Sequence, residues 1–190
     1  MEGGAGRLEQ ILADHCAPVI CGKKASNLVA IERGLYQYLP QVLGDALSWK
    51  SMCSRGNYCH VLIYDRERME AYIRQGANLS FLQCYGYGGM DLDGMLEVLA
   101  ARFEDYQKKR GGFPHEIGVF LEYPLEDIEG FINNEGRDAL ECGYWKVYGD
   151  VEKARRTFRV YDALKAMMTA RLKEGYTIID WRNRPAVEGR

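Results

Sequence analysis

The chain lacks several features that would place it in a known functional class at once. It contains no uninterrupted apolar stretch of about 18 residues, so the sequence predicts no membrane-spanning helix. Its 25 Lys and Arg residues are balanced by 27 Asp and Glu residues, which gives a formal net charge of −2. This balance argues against the strongly basic surface that is typical of proteins that bind duplex nucleic acid. Residues 1–6 are rich in glycine and carry no basic cluster followed by an apolar run, so we expect a cytoplasmic protein without an export signal.

Nucleotide-binding motifs are also missing. The chain has neither G-x-x-x-x-G-K-[ST] nor G-x-G-x-x-G, the glycine-rich sequences that hold phosphate groups at the start of a helix. The stretch Gly86-Tyr87-Gly88-Gly89 precedes a predicted helix but follows no convincing strand. It therefore does not favour a nucleotide site.

The cysteines lack the spacing of a metal centre. Six are present, and their closest spacings are C-x4-C and C-x5-C rather than the C-x-x-C pairs of zinc and iron–sulfur sites. A chain of 190 residues can bury a core without disulfides. We therefore expect six free thiols, no metal ligand set and no cofactor that the sequence can name.

Composition indicates one ordinary globular domain. Hydrophobic residues make up 47% of the chain and charged residues 27%, close to average globular usage. No repeat or linker divides the sequence. We expect a disordered start over 1–6, a single domain over 7–181 and a frayed tail over 182–190.

Helices are predicted where apolar residues recur every three or four positions. The clearest case follows Asp91 and carries Leu92, Leu96, Leu99 and Phe103 on one face. The other predicted helices cover 7–16, ended by Pro18, and 38–53, 66–73, 79–85, 125–132 and 151–172.

Strands are predicted over 58–64, 117–121, 144–148 and 176–179, whereas 26–31 fits a strand or the start of a helix. The run Ile117–Leu121 is apolar without alternation, as in a strand covered on both faces. Strands and helices follow one another from 117 to 173, which favours right-handed crossovers. The predicted fold class is thus α/β (or α+β), with a small, mostly parallel or mixed sheet covered by helices.

Several ionisable side chains that could bind a ligand or take part in catalysis suggest a pocket near the predicted strand 117–121. His115 and Glu116 precede that strand, and Lys146 lies between Tyr144 and Tyr148 on a predicted strand face, where a cation could bind a carboxylate. If the two strands are neighbours, His115 and Lys146 face one pocket. Loop and solvent-exposed roles for these residues remain open. Cys16 and Cys59 each adjoin a histidine, which leaves open a Cys–His thiol site.

Three short sequence segments, called phrases below, together resemble an uncharacterised bacterial family, domain of unknown function 3793, over about residues 8–165. They are His15-Cys16-Ala17-Pro18 with Gly22, Lys24 and Asn27-Leu28; Pro114–Leu121 continued by Tyr123–Asp127 and Gly130-Phe131-Ile132; and Gly143–Gly149. The family has no established activity to carry over. Its genes can lie beside those of flavodoxin and ferrous-iron transport, so the resemblance implies a link to iron or redox metabolism. Glu122 stands at a position where the family more often has glycine. A function that requires a residue without a side chain at this turn is therefore not expected for this chain.

Two classes of function follow. The first is a small-ligand-binding protein or an enzyme. Its partner would be a small-molecule ligand or a redox or iron-related protein. The site would be built from residues of the three phrases, namely His15, Cys16, Lys24, His115, Glu116, Tyr123, Lys146 and Tyr148. The second is a noncatalytic adaptor whose Tyr/Trp-rich segments form an interaction surface, namely Tyr85, Tyr87, Tyr144, Trp145 and Tyr148. A concave pocket would favour the first class, and a flat exposed aromatic patch the second.

Overall fold

The computed structural model describes residues 3–182 and combines helices with two small sheets. Its α-helices are α1 (Gly4–Ile20), α2 (Leu39–Leu43), α3 (Arg66–Ile73), α4 (Gly76–Cys84), α5 (Leu92–Gln107), α6 (Ile117–Phe120), α7 (Leu125–Asn133), α8 (Val151–Lys173) and α9 (Ile178–Arg182). Its strands are β1 (Ser26–Glu32), β2 (Ser48–Arg55), β3 (Tyr58–Tyr64), β4 (Glu141–Cys142) and β5 (Lys146–Val147). A 3₁₀ segment over Arg33–Tyr38 joins β1 to α2.

The main sheet has the order β1-β3-β2, and both pairings are antiparallel. The prediction of a small sheet covered by helices is confirmed, but the expectation of a mostly parallel or mixed sheet is wrong. Gly56 and Asn57 form the tight link between β2 and β3, and so short a link joins only antiparallel neighbours. The predicted strand 58–64 is the central strand.

Both faces of this sheet are buried. Along β3, Val61 and Ile63 belong to the core shared with α1 and α2, whereas Leu62 and Tyr64 belong to the core shared with α5 and α6. Successive side chains of a strand point to opposite faces. A strand covered on both sides therefore shows a continuous apolar run, as residues 61–64 of β3 do.

The segment 117–121 is not a central strand. Ile117–Phe120 forms the short helix α6 and is buried throughout. A short apolar run fits a buried strand and a buried helix equally well, because periodicity distinguishes them only when one face is polar. The predicted deep burial of Phe120 is confirmed, since its side chain has 0% exposure.

Two further predictions of local structure are corrected. The segment 38–53 is not one helix: α2 ends at Gly44, which has a φ of 58°, and the edge strand β2 begins at Ser48. The segment 144–148 contains only two residues of strand, and Lys146–Val147 pairs with β4 rather than with the main sheet. A parallel pairing of 117–121 with 144–148 therefore does not exist.

The chain ends also differ from expectation. The first helix extends over Gly4–Ile20 and contains Pro18, so residues 4–6 belong to it instead of a disordered start. The segment 176–179 leads into α9 rather than a strand, because Thr177 and Asp180 form reciprocal capping hydrogen bonds. Of the predicted frayed tail, Arg182 ends α9 and residues 183–190 lie outside the described residues.

The long amphipathic helices are confirmed. The structure has α5, α7 and α8 close to their predicted limits, and Asp91 and Asp150 cap α5 and α8 through hydrogen bonds to backbone N–H groups. The ambiguous segment 26–31 is strand β1. Among the described residues, no helix is long and apolar enough to cross a membrane.

The turn between α6 and α7 is joined to the main sheet by Glu122. Its backbone has a φ of 56°, the left-handed region that favours glycine. Its carboxylate accepts hydrogen bonds from the backbone N–H of Ala25 and from the guanidinium of Arg68, at 2.9 Å for the Arg68 Nη2–Oε1 pair. The glycine expected here would suit the backbone, but Glu122 adds contacts that connect the turn to β1 and α3.

A close backbone approach joins α7 to the segment after β5. At Gly130 in α7, an added Cβ would lie 2.4 Å from the Cβ of Tyr148. Only glycine allows the two backbones to lie this close. This contact sets the spacing between α7 and the β4–β5 hairpin.

We predict that Gly130→Ala destabilises the protein by about 1–3 kcal/mol, the usual cost of overpacking, although alanine favours a helix. Gly76→Ala in α4 is the matched control, because a Cβ there meets no atom within 4 Å; it should be neutral or stabilising. Urea-unfolding midpoints of both variants measure the difference. Equal effects of the two substitutions would contradict the inferred close approach of Gly130 to Tyr148.

We also predict that Glu122→Ala is less stable than Glu122→Gly by about 1 kcal/mol. Both substitutions remove the Arg68 and Ala25 contacts, but only alanine retains the strain of a left-handed residue. At exposed Glu129 within α7, the same pair of substitutions should rank in the opposite order, because glycine weakens a helix interior. Chemical denaturation of the four variants tests the prediction, and the same order at both positions would refute it.

Candidate functional site

A concave, largely apolar cavity lies between α6, α7 and the β4–β5 hairpin. Its volume is about 260 Å3. The lining residues are Phe113, His115, Ile117, Gly118, Leu121, Tyr123, Asp127, Ile128, Phe131, Trp145 and Lys146. Aromatic and aliphatic side chains thus surround a small number of polar groups, as is usual for small-molecule sites.

Asp127 in α7 positions the wall formed by the hairpin. Its buried carboxylate accepts hydrogen bonds from Trp145 Nε1 at 2.7 Å, from the Tyr148 N–H at 2.7 Å and from the Gly149 N–H at 2.8 Å. A buried N–H left without an acceptor costs about 1–3 kcal/mol. Asp127 therefore fixes both the Trp145 indole and the backbone that follows β5.

Tyr123 forms a second rigid wall. Its hydroxyl donates to the Tyr144 carbonyl at 3.3 Å, and its ring lies 5.3 Å from the Trp145 ring at an angle of 30°. Burial raises the pKa of Tyr123 to about 12. The phenol is therefore neutral at physiological pH and serves as a wall rather than as an anion.

His115 and Lys146 are two further polar groups that line the cavity. The half-buried His115 ring lies 5.2 Å from the Phe113 ring and 5.6 Å from the Phe131 ring. Lys146 Nζ donates to the Gly136 carbonyl at 2.6 Å and lies 5.8 Å from the centre of the Phe131 ring. Both side chains line the cavity, although the parallel strands from which we expected this do not form.

The structure divides the eight predicted site residues. His115, Tyr123 and Lys146 line the cavity, whereas the other five do not. His15 is exposed on α1, and its carbonyl accepts from Asn27. Tyr148 donates to the Arg137 carbonyl at 2.9 Å.

Cys16 and Lys24 are both buried, and neither lines the cavity. Lys24 Nζ donates to Asn27 Oδ1 at 2.8 Å and lies 5.1 Å from the centre of the Tyr123 ring. Burial lowers the pKa of Lys24 to about 8, partly offset by Cys16 and Glu122. Burial also raises the pKa of the Cys16 thiol to about 12, partly offset by Lys24, so this thiol is protonated and unreactive at neutral pH.

Glu116 belongs to a separate buried network. Its carboxylate accepts from Arg102 Nη1 at 2.7 Å and from the Tyr87 hydroxyl at 3.1 Å. Arg102 also donates to the Tyr85 carbonyl and lies over the Tyr87 ring. These contacts connect α5, the glycine-rich loop and the start of α6, and they give Glu116 a structural role.

A Cys–His pair does form, between Cys53 on β2 and His60 on β3. Cys53 Sγ lies 3.4 Å from His60 Nδ1. Burial raises the pKa of Cys53 and lowers the pKa of His60. These shifts favour a neutral thiol and a neutral imidazole, the reverse of the thiolate–imidazolium pair that thiol catalysis needs.

The Tyr/Trp-rich segments do not form one exposed surface. Tyr87 is fully buried, Tyr85 packs against Phe81, and Tyr144 packs against Phe158 and Tyr161. The flat aromatic patch that would favour an adaptor is therefore absent from this group of residues.

A larger polar groove of about 540 Å3 shares Asp127 and Trp145 with the cavity. Charges of both signs line it, and several are already paired: Arg68 binds Glu122, and Asp150 caps α8. Part of its charged lining is thus engaged with other groups of the protein, whereas the cavity has apolar walls that no side chain fills. We therefore take the cavity as the candidate site.

Sequence reasoning missed the roles of Phe113, Asp127 and Phe131. Phe113 and Phe131 border His115 in the structure but are separated from each other by 17 intervening residues, and aromatic residues usually indicate core. In the sequence, Asp127 stands in the first turn of the predicted helix 125–132, where the helix dipole already accounts for an acidic residue. Nothing in its spacing indicates an acceptor for a distant indole.

None of the six cysteines, all of which lie among the described residues, forms a disulfide bond. Cys84 and Cys142 are exposed, Cys21 is half-buried, and Cys16, Cys53 and Cys59 are buried. Among the residues the structure describes, no group of three or more His, Cys, Asp or Glu side chains could hold a metal ion.

We predict that a thiol reagent modifies two cysteines rapidly in the native protein and six after denaturation. Cys84→Ser and Cys142→Ser should each remove one equivalent of the fast reaction, because exposed thiols react first. Absorbance of the released chromophore counts the thiols. Fast modification of four or more, or fewer than six in denaturant, would contradict the burial pattern.

Comparisons with known proteins identify a family but no characterised relative. Neither the search of curated proteins nor the search of solved structures found a match. One family model, described as "Protein of unknown function (DUF3793)", matches residues 12–180. Because this match covers most of the 190-residue chain, the chain belongs to the DUF3793 family.

Proposed function

We propose that the protein binds a small, mainly apolar organic molecule in the cavity between α6, α7 and the β4–β5 hairpin. The observation that carries this proposal is the lining itself: five aromatic rings, counting His115, and several aliphatic groups surround an open volume of about 260 Å3. Apolar, aromatic-lined concavities with a few polar groups are the usual form of a ligand site.

The cavity volume limits the size of the ligand. A buried cavity of about 150 Å3 holds benzene, and sites for drug-sized ligands measure about 300–1,000 Å3. At about 260 Å3, this cavity suits one aromatic ring with a substituent or a compact bicyclic molecule.

The walls of the cavity are held in place without a ligand. Asp127 fixes Trp145, and the Tyr144 carbonyl binds the Tyr123 hydroxyl. A site with walls already ordered loses less conformational entropy when the ligand enters. This order supports binding by the free protein without a large rearrangement.

The lining supports binding better than catalysis. It contains no Ser, Thr or Cys nucleophile, and among the described residues no carboxylate hydrogen-bonds the His115 ring. Nucleophilic catalysis needs a nucleophile within reach of an oriented base. The resemblance implies a link to iron or redox metabolism. This link stays a prediction, because none of the residues that line the cavity supports it.

We predict that millimolar toluene shifts the indole N–H resonance of Trp145 in a ¹H–¹⁵N correlation spectrum. The chain has three tryptophans, and only Trp145 lines the cavity; Trp145→Phe assigns its peak. The Trp49 and Trp181 peaks should stay unchanged, because these two residues pack in the core beside α1.

Filling the cavity provides the matched test. Leu121→Phe should abolish the toluene shift because a larger side chain occupies the ligand volume, provided that its thermal melt still shows a cooperative transition. Leu79→Phe is the control, since Leu79 lines a different cavity, and it should retain the shift. Equal shifts of all three indoles, or no shift at any concentration, would refute the proposed site.

A further inference from the structure

The polar groups that line the cavity differ in how much hydrogen-bonding capacity they have left. Asp127 already accepts three hydrogen bonds on its two oxygens. Trp145 uses its only N–H on Asp127, and Tyr123 donates its hydroxyl hydrogen to Tyr144. These three groups position the walls and have no donor left for a ligand.

Lys146 retains donors. An ammonium group has three N–H bonds, and one of them is used on the Gly136 carbonyl. Among the described residues, no carboxylate forms an ion pair with Lys146, although many other surface cations of the protein have an acidic partner. Lys146 therefore presents two donors that bind no group of the described residues, beside a largely apolar cavity.

His115 adds a second polar group. Its ring contacts are aromatic, with Phe113 and Phe131, and within the described part of the chain neither ring nitrogen has a hydrogen-bond partner. Phe131 contacts both His115 and Lys146. The two side chains therefore adjoin the same aromatic ring at the cavity wall.

We infer that the ligand is an aromatic carboxylate, whose ring lies among the aromatic walls and whose carboxylate binds Lys146 and His115. This inference rests on the proposed function and adds the charge and class of the ligand. One ammonium and one imidazole match the single charge of a carboxylate, and hydrogen bonds to charged groups are stronger than neutral ones. Asp127 is the one acidic side chain among the described residues that line the cavity, and it already accepts three hydrogen bonds. It therefore has fewer sites left for a cationic ligand than Lys146 has for an anionic one.

Benzoate and benzamide distinguish this inference from simple apolar binding. The two molecules have nearly the same shape, but only benzoate carries a negative charge. Titrations followed through the Trp145 indole resonance should give benzoate at least a tenfold lower Kd than benzamide in the native protein, and added NaCl should weaken benzoate selectively.

Lys146→Met should raise the Kd of benzoate about tenfold and leave the Kd of benzamide within about twofold, and Lys146→Arg should restore most of the benzoate affinity. Lys153→Met is the control, because Lys153 lines the neighbouring polar groove and not the cavity. It should leave both ligands unchanged. His115→Phe keeps an aromatic ring and should also weaken benzoate selectively.

Each outcome separates the two proposals. Equal binding of benzoate and benzamide, or an equal loss of both in Lys146→Met, would overturn the carboxylate inference while the cavity remains a site for neutral molecules. Tighter binding of phenyl phosphate than of benzoate would also overturn it in favour of a phosphorylated ligand. Failure of benzoate, benzamide and toluene alike to move the Trp145 resonance would overturn both proposals.

Discussion

The buried carboxylate of Asp127 is the interaction on which the candidate site depends. It lies near the start of α7 and accepts three N–H donors from residues 145–149, beyond the β4–β5 hairpin turn. The two-residue strands of that hairpin provide little pairing energy of their own. Hydrogen bonds to a charged acceptor, together with the close approach of Gly130 to Tyr148, hold the hairpin against α7 and so create the concave surface between them.

A second carboxylate connects this unit to the main sheet. Glu122 adopts a left-handed backbone at the α6–α7 turn and binds both the Ala25 N–H and Arg68. Ser26 adds a buried hydrogen bond to the Phe120 carbonyl at 2.5 Å. The cavity is therefore built on a turn that β1 and α3 hold in place, which is a suitable support for a preformed site.

The charged and polar groups thus fall into two classes with different physical roles. Groups with several partners, such as Glu116 and Asp127, hold neighbouring segments together and have little capacity left for a ligand. Lys146 and His115 have few partners and lie at the cavity lining. Lys24 and Cys16 are among the predicted site residues. Both are buried, and burial shifts the pKa of each in the direction of its uncharged form.

Elements with local sequence signals could be predicted without the structure. Helices α5, α7 and α8 show a full apolar period with a cap or a favourable first turn, and β3 shows a run of strand-forming residues. The family resemblance was likewise contained in contiguous phrases, and the family match confirms it. His115, Tyr123 and Lys146 were chosen from those phrases and are brought together at one cavity.

The sheet topology, the conformation of 117–121 and the composition of the cavity depend on tertiary packing and could not be predicted. The run Ile117–Phe120 is buried on all sides, so no polar face marks its period, and neighbouring packing selects a helix. The wrong parallel sheet followed from that ambiguity. The partners of Asp127, Glu116 and Glu122 lie 14 to 97 residues away, and such pairings arise from the packing of whole elements rather than from any local pattern.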